Sequence, residues 1–578
     1  MTDSTAAARS TDTSTAVDVA ALDADLTALS AAESRWADTS LSQRADLLDE
    51  VHRSVAAAAE QWVQTATTIK GLEARSPLVG EEWMSGPYAM LTATTELAAT
   101  LRALADRRSP LDGVSCGSAP GRRVTVRVLP AGVSDRLLLS GFRADVWMRP
   151  GVAESTVRTR AGAAARFAPR TGGIGLVLGA GNITSIPPLD VLTELFEHNR
   201  VVILKLNPVM DAMLTPYRTA FAPLIHRGVL KIVVGGGEVG SRLAHHPQVR
   251  HVHITGSAHT HDLVVFGAGA DGARRKAAGD PLLDKPITSE LGGVSPMIVV
   301  PGQWSERDLR FQAEHIATMR LHNGGYNCIA GQVVLISAAW PQKQAFLTEL
   351  AAAMDRTPER RAWYPGSDDR LALAVKEYPA ARTLGGGARL LVESTEEHEQ
   401  FERTEYFAPV LGVSELPGTG QGFLEAAVAH ANSALAGTLG ANIVCDPRTL
   451  RTLGSGFEDA LVGLQYGTIG VNAWTGFGFL TTRAPWGAFP GQRITDVQSG
   501  IGSVHNTLLL EDPERTVIRG PFRPFPRSLA GRELSLFPKP PWFVTARTAA
   551  STGRALTRYA AKPSLLRMIP VFASAFRG

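Results

Sequence analysis

Between residues 173 and 254 the chain repeats one unit: a short apolar run, a connecting stretch, then another short apolar run. The runs are 174–178, 201–204, 231–234 and 251–254. The stretch 187–199 begins with prolines and carries Leu189, Leu192 and Phe196, which suits a helix. Strands that alternate with helices pair in parallel, with helices on both faces of the sheet. In such sheets ligands bind beyond the carboxyl ends of the strands. Asn182, Lys205 and Ser257 all fall at or just past such ends. Upstream, 34–105 reads as helical. Ser40 with Gln43 forms a capping box, followed by Leu47, Leu48, Val51 and Val55. Within 122–170, alternating runs such as Val124-Thr125-Val126-Arg127-Val128, broken by Pro and Gly, predict strands or a hairpin. From 291 to 480 the mixture of apolar runs and helical segments predicts a second α/β lobe.

Of three cysteines, Cys328 stands in a small polar turn, Asn323-Gly324-Gly325-Tyr326-Asn327-Cys328-Ile329-Ala330. Upstream lies Ser289-Glu290-Leu291-Gly292-Gly293, a carboxylate among apolar residues and glycines. That setting raises a carboxyl pKa toward a useful base. A thiol nucleophile and a separate carboxylate base form a coherent pair: the thiolate attacks an electrophilic carbon and the base later activates water.

From about residue 34 to 517 the chain resembles the aldehyde dehydrogenase superfamily, with its motifs in order. Gly179-Ala180-Gly181-Asn182 resembles the loop of the oxyanion-hole asparagine. Lys205-Leu206-Asn207-Pro208 is similar to the adenosine-ribose lysine motif. Thr255-Gly256-Ser257 resembles the start of the helix that faces the pyrophosphate. Glu290 and Cys328 fall at the general base and the nucleophile. Glu405-Tyr406-Phe407-Ala408-Pro409-Val410 is similar to the nicotinamide-ribose motif, and Pro485-Trp486-Gly487-Ala488 to the late glycine motif.

The resemblance implies an α/β, aldehyde-dehydrogenase-like fold: a Rossmann-type cofactor lobe, an α/β catalytic lobe and a small oligomerisation β-hairpin. Residues 31–120 and 170–290 would form the dinucleotide-binding domain and 291–494 the catalytic domain. Residues 121–169 and 495–518 would be bridging and oligomerisation strands, with a strand near 503–510 joining a homo-oligomer, dimer or tetramer. The implied reaction is oxidation of an aldehyde to a carboxylic acid. Cys328 would form a thiohemiacetal, hydride would pass to NAD or NADP, and water would release the acid from a thioester. Asn182 and the Cys328 backbone N–H would hold the oxyanion. Lys205, Gly256 and Ser257 would bind the adenosine and pyrophosphate side of the cofactor. Glu405 would bind the nicotinamide ribose, with Phe407 packed near the ring. The family commonly has a glutamate where this chain has Pro208. Its absence removes a carboxylate that would repel a 2′-phosphate and makes NADP permissible. Family branches that pass the acyl group to coenzyme A commonly lack Glu290, so its presence favours a free acid. An acylating or reductive member and a non-catalytic membrane-associated scaffold are the competing readings.

Two motifs are traps. Gly235 to Gly240 satisfies G-x-G-x-x-G, but no acidic residue follows near twenty positions on, and the pyrophosphate is placed nearer Ser257. His251 and His253 share a strand face, yet no cysteine or paired carboxylate in the sequence completes a site, so no metal is assigned.

Hydrophobic content of 44% and charged content of 20% are those of an ordinary globular chain. There is no apolar run long enough to span a bilayer. Widely spaced cysteines make no disulfide framework and suit a reducing cytoplasm. Residues 1–30 read as a disordered leader, and 264–286, rich in Gly, Ala, Arg and Lys, as a local elaboration. Charge is uneven. The overall formal charge is +3, but residues 516–578 hold eleven Arg or Lys against Glu533 alone, a local +10 that leaves −7 for the rest. The extension 519–578 interleaves these charges with Pro, Phe and Trp. A helix over 542–559 would carry Arg547, Arg554 and Arg558 on roughly one face. That pattern suits a peripheral membrane surface and a long-chain or lipid-derived aldehyde, or else a tail packed on the protein with arginines outward. No nucleic-acid partner is expected.

Overall fold

A computed structural model describes residues 18–166, 172–393, 399–531 and 533–578. Two sheets organise them. The smaller has six strands in the spatial order Gly500–Ile501, Ile287–Leu291, Val249–Gly256, Ile174–Leu178, Val201–Lys205, Leu230–Val233. All pairings are parallel except that of Gly500–Ile501. The chain runs outward from Ile174–Leu178 on one side, then returns to lay Val249–Gly256 on its other side. This reversal makes the crevice beyond Leu178 and Gly256 the switch point at which doubly wound sheets bind ligands.

The larger sheet has eleven strands. Its parallel centre includes Gly440–Val444, Ser295–Val299, Gly331–Ser337 and Val410–Leu416. The predicted hairpin strands Arg123–Leu129 and Arg143–Met148 are not a separate unit. They continue this sheet through Pro513–Arg519, which pairs antiparallel with Arg143–Met148 and parallel with Thr468–Val471. The strand expected near 503–510 is not one. Those residues form turns around a single bridge, Trp486 to Val504, with His505 and Leu509 at positive φ, and the strand follows at Pro513–Arg519.

The long helix Leu41–Ile69 carries the Ser40/Gln43 capping box and buries Leu48, Val51, Val55 and Trp62 in the core shared with the smaller sheet. The leader reading fails for its last part. Val19–Ser30 is a helix capped by Asp18, and it buries Leu22, Leu26 and Leu29, spaced for one face, in the same core. Residues 1–17 lie outside the described residues. In the 264–286 segment, Gly269–Ala278 is a helix closed by Gly279 in the left-handed conformation.

The basic extension packs on the body. Its predicted helix is displaced to Ala549–Ala561, because Trp542 and Phe543 turn inward to the apolar core. A second helix, Leu565–Ala575, follows Pro563 and was not foreseen, since Pro570 inside it reads as a breaker. Helix Ala549–Ala561 approaches helix Val79–Trp83 backbone to backbone. A Cβ at Gly80 would overlap the carbonyl of Ala549, and one at Gly553 would press on Trp83. Among the described residues no helix is long and apolar enough to cross a membrane.

Candidate active site

All eight residues singled out from the sequence border one cleft of about 710 Å³ beyond the carboxyl edge of the smaller sheet: Asn182, Lys205, Gly256, Ser257, Glu290, Cys328, Glu405 and Phe407. Ser257 caps helix Ala258–Phe266, its Oγ accepting from the Thr260 N–H at 3.1 Å. Helix Gly237–Ala244 also starts on the cleft, with Gly237 and Gly240 in its lining. The glycine run set aside in the sequence therefore stands in the same cleft as Ser257. Two helix N-termini present free N–H groups and partial positive charge, a setting for a diphosphate.

Lys205 ends strand Val201–Lys205 and is buried, which lowers its pKa, while the charge of Asp211 acts in the opposite direction. Asn207 caps the turn that begins at Pro208, accepting from the Val209 N–H at 3.1 Å. So the residue three positions past Lys205 offers no carboxylate; Asp211, farther along the same turn, acts on Lys205 through its charge and does not line the cleft. At the other end, the Glu405 carboxylate lies where a Cβ on Gly292 would stand. Burial is the main cause that lifts Glu405 to about 8, with the Arg320 charge opposing. Phe407 sits at a φ of 45° and packs edge-on against Tyr364, centroids 4.8 Å apart. Donors at two helix ends, a lysine at a strand end and a carboxylate at the far end fit a dinucleotide.

The thiol end of the cleft is built from two elements. Glu290 comes from strand Ile287–Leu291, opposite Thr255 in the neighbouring strand. Cys328 comes from the turn between helix Glu306–Leu321 and strand Gly331–Ser337. The two side chains border the same cleft, and each acts on the other's ionisation. Burial raises Glu290 to about 7; the neighbouring Cys328 thiol opposes the rise, and the Asp190 charge adds to it. Burial also pushes the Cys328 thiol well above its ordinary value, and the charges of Glu290 and Glu405 push the same way. The resting pair is therefore a neutral thiol beside a carboxyl that ionises near neutrality. Asn182 donates from Nδ2 to the Tyr326 carbonyl at 3.0 Å, which holds its amide at the thiol loop with one N–H to spare.

Beneath that loop lies a buried ionic cluster that no local motif announces. Asn323, at φ 54°, donates to the carbonyls of Asn182 (3.1 Å) and Tyr326 (3.0 Å) and accepts from Lys70 Nζ (3.0 Å). Its backbone N–H donates to Glu81 at 3.1 Å. Lys70 donates to Glu82 at 2.7 Å, both side chains fully buried, and Arg360 pairs with Glu81 at 2.5 Å. Arg320, also buried, donates to the carbonyls of Gly325 and Ala408, tying the thiol loop to the Glu405 segment. Near the loop, Tyr326 is buried with its hydroxyl on Ser367, Trp474 packs on His322, and Phe477 borders a separate cavity. His251 and His253 do share a face, where they meet Glu194 (3.3 Å) and Asp190 (3.5 Å).

A two-sheet α/β fold with a thiol and a carboxylate at the end of a dinucleotide-sized cleft defines the aldehyde dehydrogenase class of fold. Comparison with known proteins agrees. Residues 202–365 match the family model described as the aldehyde dehydrogenase family. A probable aldehyde dehydrogenase of Streptomyces coelicolor is 27% identical over 347 residues, covering 54% of this chain and 61% of that relative. Among solved structures, gamma-glutamyl-gamma-aminobutyraldehyde dehydrogenase of Burkholderia cenocepacia superposes with a TM-score of 0.57 at 20% identity, over 86% of this chain and 88% of that one. An NAD-dependent aldehyde dehydrogenase of Sinorhizobium meliloti gives 0.56 at 18% identity, over 88% of each chain. Over residues 202–365 the chain is similar to the aldehyde dehydrogenase family, and it shares the fold of these solved structures while spanning less than two thirds of the length of the Streptomyces coelicolor relative.

Proposed function

We propose that this protein oxidises an apolar aldehyde to its carboxylic acid with NAD or NADP as acceptor. The observation that carries the reading is that Cys328 and the buried Glu290 carboxylate border the same cleft, with Asn182 beside them. Ionised Glu290 takes the thiol proton as sulfur bonds to the carbonyl carbon. The spare Asn182 N–H and the Cys328 backbone N–H donate to the oxygen as it gains charge. A nicotinamide bound along the cleft would supply the hydride acceptor. Once the first proton has passed to solvent, Glu290 takes a proton from water, whose oxygen attacks the Cys328 thioester; the C–S bond breaks, Glu290 returns that proton to sulfur, and the acid and the thiol are freed. The preference for an apolar, lipid-derived substrate is supported by the packing of Cys328 against the cluster that holds Met84, Trp474 and Phe477. Retention of Glu290 weighs against acyl transfer to coenzyme A, and the assembled Cys328, Glu290 and Asn182 weigh against an inert scaffold.

The test is nicotinamide reduction at 340 nm across aldehydes of rising chain length. Because Glu290 must be ionised to accept a proton and its pKa is about 7, kcat is expected to rise with pH through that value and then level. Glu290→Gln is expected to lose that limb and about 10²–10⁴-fold in kcat. A rising limb that survives in Glu290→Gln would assign the titration to another group.

Cofactor choice turns on Asp211 and Pro208. Asp211→Ala is expected to shift the kcat/KM ratio toward NADP by about tenfold, roughly the worth of one charge contact. An unchanged ratio would place the 2′-hydroxyl away from that carboxylate.

A further inference from the structure

The last helix, Leu565–Ala575, is apolar on both sides. Its inner face, Met568, Val571 and Ala575, is buried. Its outer arc carries Leu565, Leu566, Ile569, Pro570 and Ala573, with Phe576 just past its end. Leu565 is 81% exposed, Leu566 78%, Ile569 61% and Phe576 50%. A water-facing arc is normally polar. A continuous apolar stripe of this kind marks an interaction surface.

Charge says what covers it. After Glu533 the chain contains no acidic residue to its end, and it contains seven Arg or Lys. Arg554 and Arg558 pair with Glu60 of the body. Arg547, Lys562, Arg567 and Arg577 are exposed, and among the described residues they form no ion pair. A second copy of the stripe would bring like charges together across a patch of about six side chains, against the roughly 20–30 residues a side of a stable protein interface. An apolar stripe rimmed by unpaired cations fits the boundary between acyl chains and anionic headgroups.

The inner face adds a second, independent observation. Val571, Ala575, Leu556 and Trp542 of the extension, with Phe477 and Met84 of the body, line a largely apolar cavity of about 140 Å³, separate from the cleft of Cys328 and bordered also by Glu96, Asp135 and Arg523. That is close to the size of an apolar cavity known to hold benzene. Phe477 and Met84 belong to the apolar cluster on which Cys328 packs. The extension is thus a roof, with its outer surface apolar and its inner surface a hydrocarbon-sized chamber.

We propose that the outer face of helix Leu565–Ala575 seats the protein on an anionic membrane surface, with the cavity beneath it receiving the hydrocarbon part of a membrane-derived aldehyde. The second clause rests on the proposed dehydrogenase activity; the first does not.

The experiment is flotation of the full-length protein with phosphatidylcholine vesicles, with and without one-third phosphatidylglycerol. The wild type is expected to float with the anionic vesicles. The pair Leu566→Ser with Ile569→Ser is expected to bind more than tenfold more weakly. Lys562→Gln with Arg567→Gln is expected to lose about fivefold per charge. Both pairs sit on the surface, so an unchanged thermal melt is the control for folding. Failure of the wild type to float would overturn the proposal, as would equal binding by the serine pair. It would also fall if sedimentation showed a dimer that the serine pair dissociates. Turnover of a short soluble aldehyde, measured in parallel, separates the two readings. If the protein turns that aldehyde over but does not float, only the membrane site is lost. If it floats but turns nothing over, the oxidation reading fails and the docking surface stands.

Discussion

Cys328→Ser is expected to abolish nicotinamide reduction on every aldehyde, lowering kcat by about 10³-fold or more. A hydroxyl is a far weaker nucleophile, and the base beside it ionises only near 7. A companion measurement reads the thiol itself. With its pKa pushed up by burial and by two carboxylates, Cys328 in the free protein should react slowly with iodoacetamide at pH 7, and faster as pH rises. If Glu290 acts chiefly through its charge, Glu290→Gln speeds that alkylation at pH 8. If Glu290 acts as the proton acceptor, the same change slows it. Turnover by Cys328→Ser at a wild-type rate would remove the nucleophile from the proposed mechanism.

Lys70→Met is the second change with a large expected effect, and it acts on stability. It leaves the buried Glu82 carboxylate without its cation and deprives Asn323 of a donor. Breaking a buried pair from one side typically costs about 3–5 kcal/mol. Thermal unfolding should show a fall of several degrees. The double change Lys70→Met with Glu82→Gln removes both charges and should recover much of that loss. If the double variant melts no higher than the single one, the pair is not what holds the loop. Because Asn323 holds the carbonyls of Asn182 and Tyr326, kcat should fall further than KM changes in whatever protein remains folded.

The reach of the sequence can be judged residue by residue. Asn182, Lys205, Ser257, Glu290, Cys328, Glu405 and Phe407 stand in short local motifs, since each is presented by a strand end, a cap or a tight turn, features with spacing rules of their own. They lie together in the cleft. Lys70, Glu81, Glu82 and Arg360 have no such rule. They come from the end of one helix, a short helix and a distant loop, and they read as ordinary surface charges until tertiary packing buries them. Asp211 has no motif of its own: the family pattern points to the position of Pro208, and the turn after it carries Asp211, whose charge acts on Lys205. In the fold, alternation made the parallel sheet legible, and the capping box placed the long helix. The hairpin at 121–169 was visible as strands but not as an edge of the larger sheet, because pairing partners far apart in sequence leave no periodic trace. Val19–Ser30 was hidden by a Ser/Thr/Ala-rich composition preceding it, although Leu22, Leu26 and Leu29 mark its buried face.

The five-residue helix Val79–Trp83 has two clients. Through Gly80 it bears the C-terminal roof, with no space for even a methyl group between them. Through the next two residues, Glu81 and Glu82, it grips the loop that presents the thiol. Any ligand of the roof that shifts this helix must also change the free energy of the thiol loop, and by reciprocity any occupant of the thiol site that shifts it must change affinity at the roof. The chain therefore contains a short lever whose two arms differ by one residue. Gly80→Ala presses on the roof and, through the same helix, on the thiol loop, without deleting any part of the tail.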